Sequence, residues 1–494
     1  MSSAAIPQSH KDTIRIPQTQ LLIDGEFCAA ASGKTFATID PSTEEVIAEI
    51  AEADAADVDR AVAAARKALT EGPWSKMDAR ERGRLLLKWA DLIEAHTDEL
   101  ARLESLDNGK TLKEALGYDI PSAAAVLRYF GGWADKLHGQ TIPIPGPYFT
   151  YTRLEPVGVC GQIIPWNFPL AMATWKLGPA LAAGCTCVLK PAEQTPLTAL
   201  RAGELALEAG IPPGVVNILP GYGPTAGGAI VKHPGIDKIA FTGDYRTAEI
   251  IKKENVSTMK RLSFELGGKS PNVIFADADL DEAADGAYDA LFLNQGQNCC
   301  AGSRAFVQAD VYDTIVERMA ERADKARVGD PFDSETDHGA LIDKAQLDKV
   351  MHYVKAGSDE GAECVTGGNR LFEKGYFHEP TIFANVRDDM SIAREEIFGP
   401  VITVFRFEDV DEVIDRANDT MYGLAAAVWT KDIGKAHAIA DNVRAGTVWV
   451  NCYNVVDTAA PFGGYKMSGS GRELGQKALE AYTEHKTVTI RKSH

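Results

Sequence analysis

Short apolar runs alternate with helix-like segments over most of this chain, and that alternation constrains the fold more than any other feature. From about residue 156 onward, helical segments separate the runs at regular intervals. Such an alternation is typical of a parallel sheet that helices cover on both faces. The apolar runs are Val157–Ile164, Cys187–Leu189, Val215–Leu219, Lys238–Phe241 and Arg261–Phe264, and the helices between them begin near Pro169, Leu197, Thr225 and Tyr245.

A second succession of the same kind predicts a second α/β lobe. It begins with the apolar run Asn272–Phe275 and continues through the helical stretch Asp279–Leu293 to the run Arg304–Gln308. Ahead of the first lobe, apolar residues recur at helical spacing over Asp57–Leu69 and Arg82–Leu106, which predicts two long helices.

Two short segments fit neither lobe. Residues 140–153 and 487–491 are β-rich and have little core of their own. A strand that cannot bury a face within its own domain commonly pairs across a subunit boundary. The alternative is a surface hairpin.

Composition restricts the class of protein and its partners. Lys and Arg number 51 against 70 Asp and Glu, for a formal charge of −19. A field of this sign disfavours general binding to nucleic acid or to anionic membranes. The most apolar long window, residues 168–189, is interrupted by Lys176, two prolines and two glycines, so no membrane span is expected.

The cysteines and the N-terminal stretch predict a reduced, cytoplasmic protein. Eight cysteines are too few for a disulfide scaffold in a chain of 494 residues, and none has the spacing of a zinc site, so no metal is expected. Residues 1–18 are polar and contain one acidic side chain, Asp12, unlike a signal or transit peptide.

Two glycine-containing junctions between a strand and a helix are candidate nucleotide contacts. Residues 221–227 approach the dinucleotide fingerprint, but the last spacing is one residue too long. Residues 241–248 form the second junction. A helix N-terminus at either place would offer free amides to a phosphate. Such turns are also routine joints in α/β proteins.

Adjacent cysteines and one glutamate are candidates for catalysis. Cys299 and Cys300 lie in the glycine-containing segment GQNCCAGSR, whose backbone amides could lower the pKa of a thiol. The residue types alone do not choose between the two sulfurs, and a small buried side chain is the alternative for either. Glu265 directly follows an apolar strand, where partial burial would raise its pKa toward the range useful to a general base. A solvated glutamate at a strand end is the alternative.

Six motifs, in order, resemble the NAD(P)-dependent aldehyde dehydrogenase superfamily over the chain from about residue 20 to its end. They are PWNFP at 165–169, KPAE at 190–193, FELGGK at 264–269, GQNCCAG at 296–302, EEIFGP at 395–400 and PFGGYKMSGSGR at 461–472. The resemblance implies an α/β, aldehyde dehydrogenase-like fold. It consists of a Rossmann-type NAD-binding domain at 1–137 and 154–267, an α/β catalytic domain at 268–482, and a small β oligomerisation element at 138–153 and 483–494. The implied assembly is a homodimer or a dimer of dimers, and the homotetramer is expected here because the strand Thr487–Arg491 is available for pairing across subunits.

The resemblance also implies the reaction, the oxidation of a small-molecule aldehyde to a carboxylic acid. Cys299 matches the nucleophile, which forms a thiohemiacetal and, after hydride transfer to NAD, a thioester. The Asn167 side chain and the Cys299 backbone N–H would form the oxyanion hole. Glu265 matches the residue that activates the hydrolytic water. Glu473 matches a carboxylate of a proton relay, with a solvated charge as the alternative.

The implied cofactor is NAD. Lys190 and Glu193 match residues that hold the adenosine ribose, and a carboxylate there would repel the 2′-phosphate of NADP. Glu396 matches the residue that holds the nicotinamide ribose. The further contacts that the resemblance implies are Ile163, Trp166, Gly223, Gly227, Thr242, Gly243, Leu266, Gln346 and Phe398.

The chain departs from the family pattern beside the expected pyrophosphate. Asp244 and Ala248 stand where a hydroxyl residue and a glycine are usual. A carboxylate near a pyrophosphate is unfavourable unless a cation such as Arg246 offsets it. The sequence therefore predicts weaker or shifted pyrophosphate binding at Asp244.

The implied substrate tunnel is largely apolar. Its residues are Met172, Trp175, Leu293, Cys300 and the loop 453–459, which includes Val456 and Asp457. The loop has no Arg or Lys, which disfavours a substrate with a distal carboxylate. An aliphatic or aromatic aldehyde is expected, and the alternative is a semialdehyde or an aminoaldehyde of a catabolic pathway, the latter near Asp457.

The motifs leave three rival activities to be separated by assay. A CoA-acylating dehydrogenase would pass the acyl group from the cysteine to CoA, and Glu265, as a base for water, disfavours it. A cysteine esterase would need no NAD. A non-catalytic relative would keep the fold without turnover, which the presence of Cys299, Glu265 and Asn167 disfavours.

Overall fold

A computed structural model describes residues 7–492. Residues 1–6, at the start of the predicted NAD-binding domain, and residues 493–494, at the end of the predicted oligomerisation element, lie outside the described residues. The first large sheet has its central strands parallel, and its outermost pairings on both sides are antiparallel. Its strands, in spatial order, are Glu26–Cys28, Leu21–Ile23, Val216–Ile218, Thr186–Lys190, Val159–Ile163, Lys238–Gly243, Arg261–Leu266 and Gly469–Ser470.

Helices cover this sheet on both faces, as the alternation of apolar runs predicts. They are Ala55–Thr70, Pro73–Lys76, Ala79–Ala95, Thr97–Asn108, Leu112–Glu114, Ile120–Trp133, Pro169–Ala183, Leu197–Ala209, Gly228–Lys232 and Tyr245–Glu254. The helix Pro169–Ala183 is buried along its whole length, because it lies between the sheet and the surrounding helices. It begins two residues after Asn167 and so fixes where that side chain lies.

The predicted single helix over Arg82–Leu106 is wrong, because His96 interrupts it. The ring of His96 bonds the carbonyl of Leu92 at 2.8 Å, and the hydroxyl of Thr97 donates to the carbonyl of Glu94 at 2.7 Å. The hydroxyl of Thr97 takes the carbonyl of Glu94, which the next helical turn would otherwise use, and the His96 ring adds a second donor to the Leu92 carbonyl, so one helix ends and another begins. The predicted helix near Thr225 is present, with a first turn Gly223–Gly227 that is a π-helix and continues into the α-helix Gly228–Lys232.

The second large sheet is parallel except at one edge strand, Glu363–Thr366, which pairs antiparallel with its neighbour. Its strands, in spatial order, are Glu363–Thr366, Thr381–Ala384, Val401–Phe407, Arg304–Gln308, Pro271–Ile274, Ala425–Trp429 and Thr447–Val450. Its helices are Leu280–Phe292, Tyr312–Lys325, Lys344–Asp359, Ser391–Arg394, Val410–Asn418 and Ile433–Asn442, whereas the helix Gly475–Glu480 packs against Pro169–Ala183 of the first lobe. Two small antiparallel ladders pair Thr35–Ile39 with Val46–Ala51 and Arg370–Leu371 with Phe377–His378.

The two β-rich segments that fit neither lobe pair with each other. Thr483–Arg491 runs antiparallel to Tyr148–Pro156 along its whole length, and Thr141–Ile142 adds on the opposite side. The strand Thr483–Arg491 is therefore an edge of this small sheet within residues 7–492, and many of its side chains are exposed.

The described part of the chain has neither a membrane-spanning helix nor a cluster of metal ligands. None of its helices is long and apolar enough to cross a membrane. Residues 7–492 also contain no group of three or more His, Cys, Asp or Glu side chains arranged to hold a metal ion.

Candidate active site

Two neighbouring cavities meet at Cys299 and Glu265. The larger, of about 240 Å³, extends along the carboxyl ends of the strands Lys238–Gly243 and Arg261–Leu266. The smaller, of about 50 Å³, lies on the opposite side of the sulfur. The carboxyl ends of parallel strands are where α/β sheets bind their ligands. The cavities share Phe168, Met172, Thr242, Glu265 and Cys299.

The two sulfurs occupy different surroundings. Cys299 is partly exposed and contacts both cavities, whereas Cys300 is buried and lines only the smaller. The Cys300 thiol donates to Oδ1 of Asn298 at 3.3 Å. The neighbouring Cys300 sulfur, burial and nearby carboxylates raise the pKa of the Cys299 thiol well above its ordinary value. Position therefore favours Cys299 as the nucleophile, and its proton must be removed by a base before attack.

Asn167 lies beside Cys299 on the wall of the larger cavity. Its Nδ2 donates to the carbonyl of Gln297 at 2.9 Å, which fixes the plane of the amide. An amide nitrogen carries two hydrogens, so the second remains for a ligand oxygen. The backbone carbonyl of Asn167 accepts from Nζ of Lys110 at 3.1 Å and from Nδ2 of Asn294 at 2.8 Å.

Glu265 projects from the end of its strand into both cavities, and its Oε2 has no hydrogen-bond partner. Burial raises the pKa of this carboxyl well above its ordinary value, the charge of Glu473 raises it further, and Lys176 and Arg472 oppose the rise. A carboxylate with a raised pKa is a stronger base. Gly463 lies against it, since a Cβ at that position would be 2.7 Å from Oε1 of Glu265.

Glu473 lines the smaller cavity with Glu265 and is buried, so the alternative of a solvated charge is wrong. Its Oε1 bonds Nζ of Lys176, a lysine with a fully buried side chain, and its Oε2 has no partner. Oε2 of Glu473 is therefore a second carboxylate oxygen without a partner in the smaller cavity, in addition to Oε2 of Glu265.

Glu396 lines the larger cavity. Its carboxylate lies against Gly267 and Gly268, which directly follow the strand that carries Glu265. Its Oε1 accepts the N–H of Gly268 at 3.0 Å, and a Cβ on Gly267 would be 2.0 Å from its Oε2. Burial raises the pKa of Glu396 to about 7. Glycine at 267 is therefore required for Glu396 to lie where it does. Its carboxylate offers an acceptor to a sugar hydroxyl.

Gln346 and Phe398 form one side of the larger cavity. Nε2 of Gln346 donates to the carbonyl of Phe398 at 2.5 Å and holds that residue in the left-handed region at φ 59°. The Phe398 ring packs edge-on against Trp166 at 5.3 Å. Gln346 therefore supports the Phe398 wall with its amide.

Asp244 lies at the mouth of the larger cavity and caps the helix Tyr245–Glu254. Its Oδ1 accepts the backbone N–H of Arg246 at 2.7 Å, whereas the Arg246 guanidinium is exposed and lies over the Tyr245 ring. The cation that the carboxylate faces in the cavity is Lys349. Burial lowers the pKa of Lys349, while Glu396 and Asp244 raise it.

The residues expected at the adenosine lie together, beyond the larger cavity. Nζ of Lys190 donates to Oε2 of Glu193 at 3.1 Å, and burial lowers the pKa of Lys190. A Cβ on Gly227 would lie 3.6 Å from the Lys190 side chain and 3.8 Å from Ile163. Gly223 is open, with nothing within 4 Å of a Cβ there.

The smaller cavity contains most of the residues expected at the substrate. They are Met172, Trp175, Leu293, Cys300 and Val456. Asp457 is not among its lining residues: its side chain is exposed and its Oδ1 accepts the N–H of Ala459 at 2.7 Å. The carboxylate stabilises its own turn and does not face the cavity.

Several lining residues were missed by sequence reasoning. Tyr118, Asn298 and Phe462 line the smaller cavity, and Lys349 lines the larger, whereas Asn454 of the smaller cavity belongs to the predicted loop 453–459. Lys349 lies one helical turn after Gln346, so its spacing could have revealed it. Phe462 lies within the motif PFGGYKMSGSGR, but no local signal marks Tyr118.

The features of the larger cavity fit NAD. Thr242 places a buried hydroxyl without a partner on the wall, and the required glycine at 267 keeps the acceptor Glu396 in place. An unsatisfied buried hydroxyl is costly unless a ligand or water meets it.

Comparisons with known proteins agree with this geometry. The model of the aldehyde dehydrogenase family matches residues 27–488. The mitochondrial aldehyde dehydrogenase of Mesocricetus auratus is 56% identical over 474 residues, 96% of this chain and 95% of that protein. Retinal dehydrogenase 2 of Mus musculus is 54% identical over 493 residues, 99% and 95% of the two chains. The NAD+ complex of aldehyde dehydrogenase from Bacillus cereus is 51% identical, with a TM-score of 0.96 over 99% of this chain and 100% of that chain.

These matches confirm the predicted fold, with a Rossmann-type sheet and a catalytic α/β sheet, and the predicted cofactor NAD. The chain belongs to the aldehyde dehydrogenase family and oxidises aldehydes with NAD.

Proposed function

We propose that Cys299, Asn167, Glu265 and Glu473 carry out this oxidation, and that the substrate is an uncharged aldehyde with an apolar chain or ring. The observation that carries the proposal is the position of Cys299, on the boundary between a polar groove that fits NAD and a smaller apolar compartment.

The first step is attack of the Cys299 thiolate on the aldehyde carbonyl. Glu265 lines both cavities that meet at the sulfur, and its raised pKa makes its carboxylate a suitable acceptor for the thiol proton. The developing oxyanion takes the second N–H of Asn167 and the backbone N–H of Cys299. The bond to Gln297 keeps the amide oriented, so no reorganisation is needed as charge develops.

Collapse of the thiohemiacetal leaves a thioester on Cys299. Glu396 and the Trp166–Phe398 wall would hold NAD, which would supply the hydride acceptor for this step. Glu265 first passes on the thiol proton and then takes a proton from the hydrolytic water; the hydroxide adds to the thioester, and the carboxylic acid and the Cys299 thiolate are released. Glu473 shares the compartment and has a free Oε2, so it is placed to receive that proton onward.

The lining of the smaller cavity selects against charge. It contains no Lys or Arg, and its two carboxylates, Glu265 and Glu473, would repel an anionic tail. Asp457, the reason for considering an aminoaldehyde, does not face the cavity. A hydrocarbon chain or ring gains from burial here, and pockets of this kind discriminate little between homologues.

A panel of aldehydes tests the substrate class. NADH absorbance should give a higher kcat/KM for hexanal and benzaldehyde than for succinic semialdehyde and 4-aminobutanal, each assayed with NAD and with NADP. A preference for either charged compound would contradict the proposal. Adding CoA should leave the product a free acid; acyl-CoA would identify a CoA-acylating dehydrogenase instead. Aldehyde-dependent NADH formation also separates this enzyme from a cysteine esterase and from a non-catalytic relative.

The Asp244 carboxylate weakens pyrophosphate binding in this proposal, and Lys349 offsets part of that effect. Asp244→Ser should tighten NAD binding measured by fluorescence titration of the protein. An unchanged dissociation constant would remove Asp244 from the proposal.

The homotetramer is proposed on the exposed edge strand Thr483–Arg491 and its small sheet. Light scattering after gel filtration should give four times the chain mass of 53.2 kDa, whereas the mass of one or two chains would contradict it. The boundaries of the three units, at 1–137 with 154–267, 268–482, and 138–153 with 483–494, belong to the same proposal. A cytoplasmic location stays a prediction.

A further inference from the structure

The turn that leads to Cys299 has an unusual backbone. Asn294, Gln295 and Gly296 follow one another in the left-handed region, at φ 50°, 55° and 72°. Residues other than glycine rarely adopt this conformation, and a succession of them persists only where surrounding contacts hold it. A Cβ on Gly296 would lie 2.1 Å from the carbonyl oxygen of Gly399, so the backbone is also closely packed there.

A carboxylate from a distant part of the chain holds this turn. Oε1 of Glu114 accepts the backbone N–H of Asn294 at 2.9 Å, and its Oε2 lies 3.5 Å from Nε2 of Gln295. Glu114 is itself fixed, because its Oε2 accepts the hydroxyl of Thr111 at 2.8 Å in a capping box. The contact therefore joins a rigid helical turn to the strained segment.

The strained segment contacts one member of the proposed oxyanion hole, Asn167, and is joined through Gln297 to the chain that leads to the other, Cys299. Nδ2 of Asn294 donates to the carbonyl of Asn167 at 2.8 Å, and the carbonyl of Asn294 accepts the N–H of Gln297 at 2.9 Å. The carbonyl of Gln297 accepts the Asn167 side chain at 2.9 Å, two residues before Cys299. A shift of Asn294 would move the amide donor and the sulfur together.

We propose that Glu114 is a positioning residue for aldehyde oxidation, which holds the turn 294–297 so that Asn167 and Cys299 face the same carbonyl. The inference rests on the proposed roles of those two residues. Glu114 is not among the residues that line the two cavities at Cys299. It lines a separate cavity of about 480 Å³ on the far side of the turn, together with Leu293, His338 and Asp337. Its role is in the arrangement of the site and not in binding NAD.

Two substitutions separate the reach of the side chain from its charge. Glu114→Gln keeps an acceptor oxygen at the right distance without the charge, whereas Glu114→Asp keeps the charge but is one methylene too short for the Asn294 N–H. The rate of the first NADH burst should fall about tenfold in Glu114→Asp and stay within threefold of wild type in Glu114→Gln. The dissociation constant of NAD should change less than twofold in both.

Asp337→Ala is the matched control, because Asp337 is an exposed carboxylate on the same cavity that pairs with Lys113 at 3.0 Å. It should leave the burst rate unchanged. Thermal unfolding of each variant shows that it is folded at the assay temperature. A burst rate in Glu114→Asp within twofold of wild type, or one at least as high as that of Glu114→Gln, would overturn the proposal. Mapping the acyl adduct in the same variants keeps the two ideas apart, since an adduct away from Cys299 would refute the proposed nucleophile instead.

Discussion

Replacing Asn167 by alanine should raise the activation free energy of the reaction by more than it lowers the free energy of unfolding. The change deletes one proposed donor to the oxyanion, and loss of such a donor costs about 3–4 kcal/mol of transition-state stabilisation, or about 10²–10³ in kcat. The structural loss is smaller. The carbonyl of Gln297 loses the Asn167 donor at 2.9 Å but keeps a weaker bond from Nδ2 of Asn294 at 3.3 Å. One neutral hydrogen bond contributes about 1 kcal/mol to the free energy of unfolding.

Asn217→Ala is the control for this experiment. Asn217 is a fully buried asparagine whose Nδ2 donates to the carbonyls of Cys187 and Gly214, at 3.1 and 2.8 Å, in the strand Val216–Ile218. Its loss should destabilise the protein at least as much as Asn167→Ala, because two carbonyls lose their donor. Its kcat should stay near the wild-type value, since it lines neither cavity at Cys299.

The assay is the steady-state formation of NADH with hexanal, combined with unfolding in urea. The reasoning would be refuted if Asn167→Ala kept kcat within threefold of wild type. It would also be refuted if Asn217→Ala lost as much activity, because the effect would then follow stability and not the oxyanion.

For three further substitutions, the structure predicts the direction in which the measured rate or pH profile changes. Glu265→Gln should slow the first release of NADH, because the Cys299 thiol loses its base, and should slow steady-state turnover further, because hydrolysis loses its base as well, as a stopped-flow trace would show; a full steady-state rate would contradict this. Wild-type hydrolysis should quicken as pH rises through the raised pKa of Glu265, because only the carboxylate accepts a proton. Lys176→Met should move that rise to higher pH, because the Lys176 charge lowers the pKa of Glu265; a shift to lower pH in the pH–rate profile would refute the assignment. Glu193→Gln should raise kcat/KM with NADP about tenfold by removing repulsion of the 2′-phosphate, with the value for NAD little changed; no gain with NADP would contradict the role of Glu193.

Most of the fold could be predicted from the sequence because apolar runs and helical periodicity are local features of the chain. Apolar runs such as Lys238–Phe241 and Arg261–Phe264 became neighbouring parallel strands, since each is short and largely buried and the helix Tyr245–Glu254 connects them. The break at His96 was not accessible, because helical periodicity continues through it. There, side chains bonded to carbonyls decide against the pattern.

The site was only partly accessible, for a related reason. Motifs placed Cys299 and Glu265, and the structure brings both to the same two cavities. Asp457 lies in a suitable loop, yet its carboxylate bonds its own turn, and a sequence does not show which way such a side chain points. Glu114 meets Asn294 across 180 positions, a contact that only the folded chain creates.

The central claim is covalent bonding of the substrate to Cys299. Glu265→Gln enzyme, mixed with NAD and hexanal and quenched at intervals through its slowed first turnover, should accumulate up to one acyl group per chain by mass spectrometry, on the peptide that contains Cys299. Fragmentation should assign the mass to Cys299, and Cys300→Ala should retain the label. An acyl group on Cys300, or carboxylic acid formed with no labelled peptide at any quench time, would contradict the account.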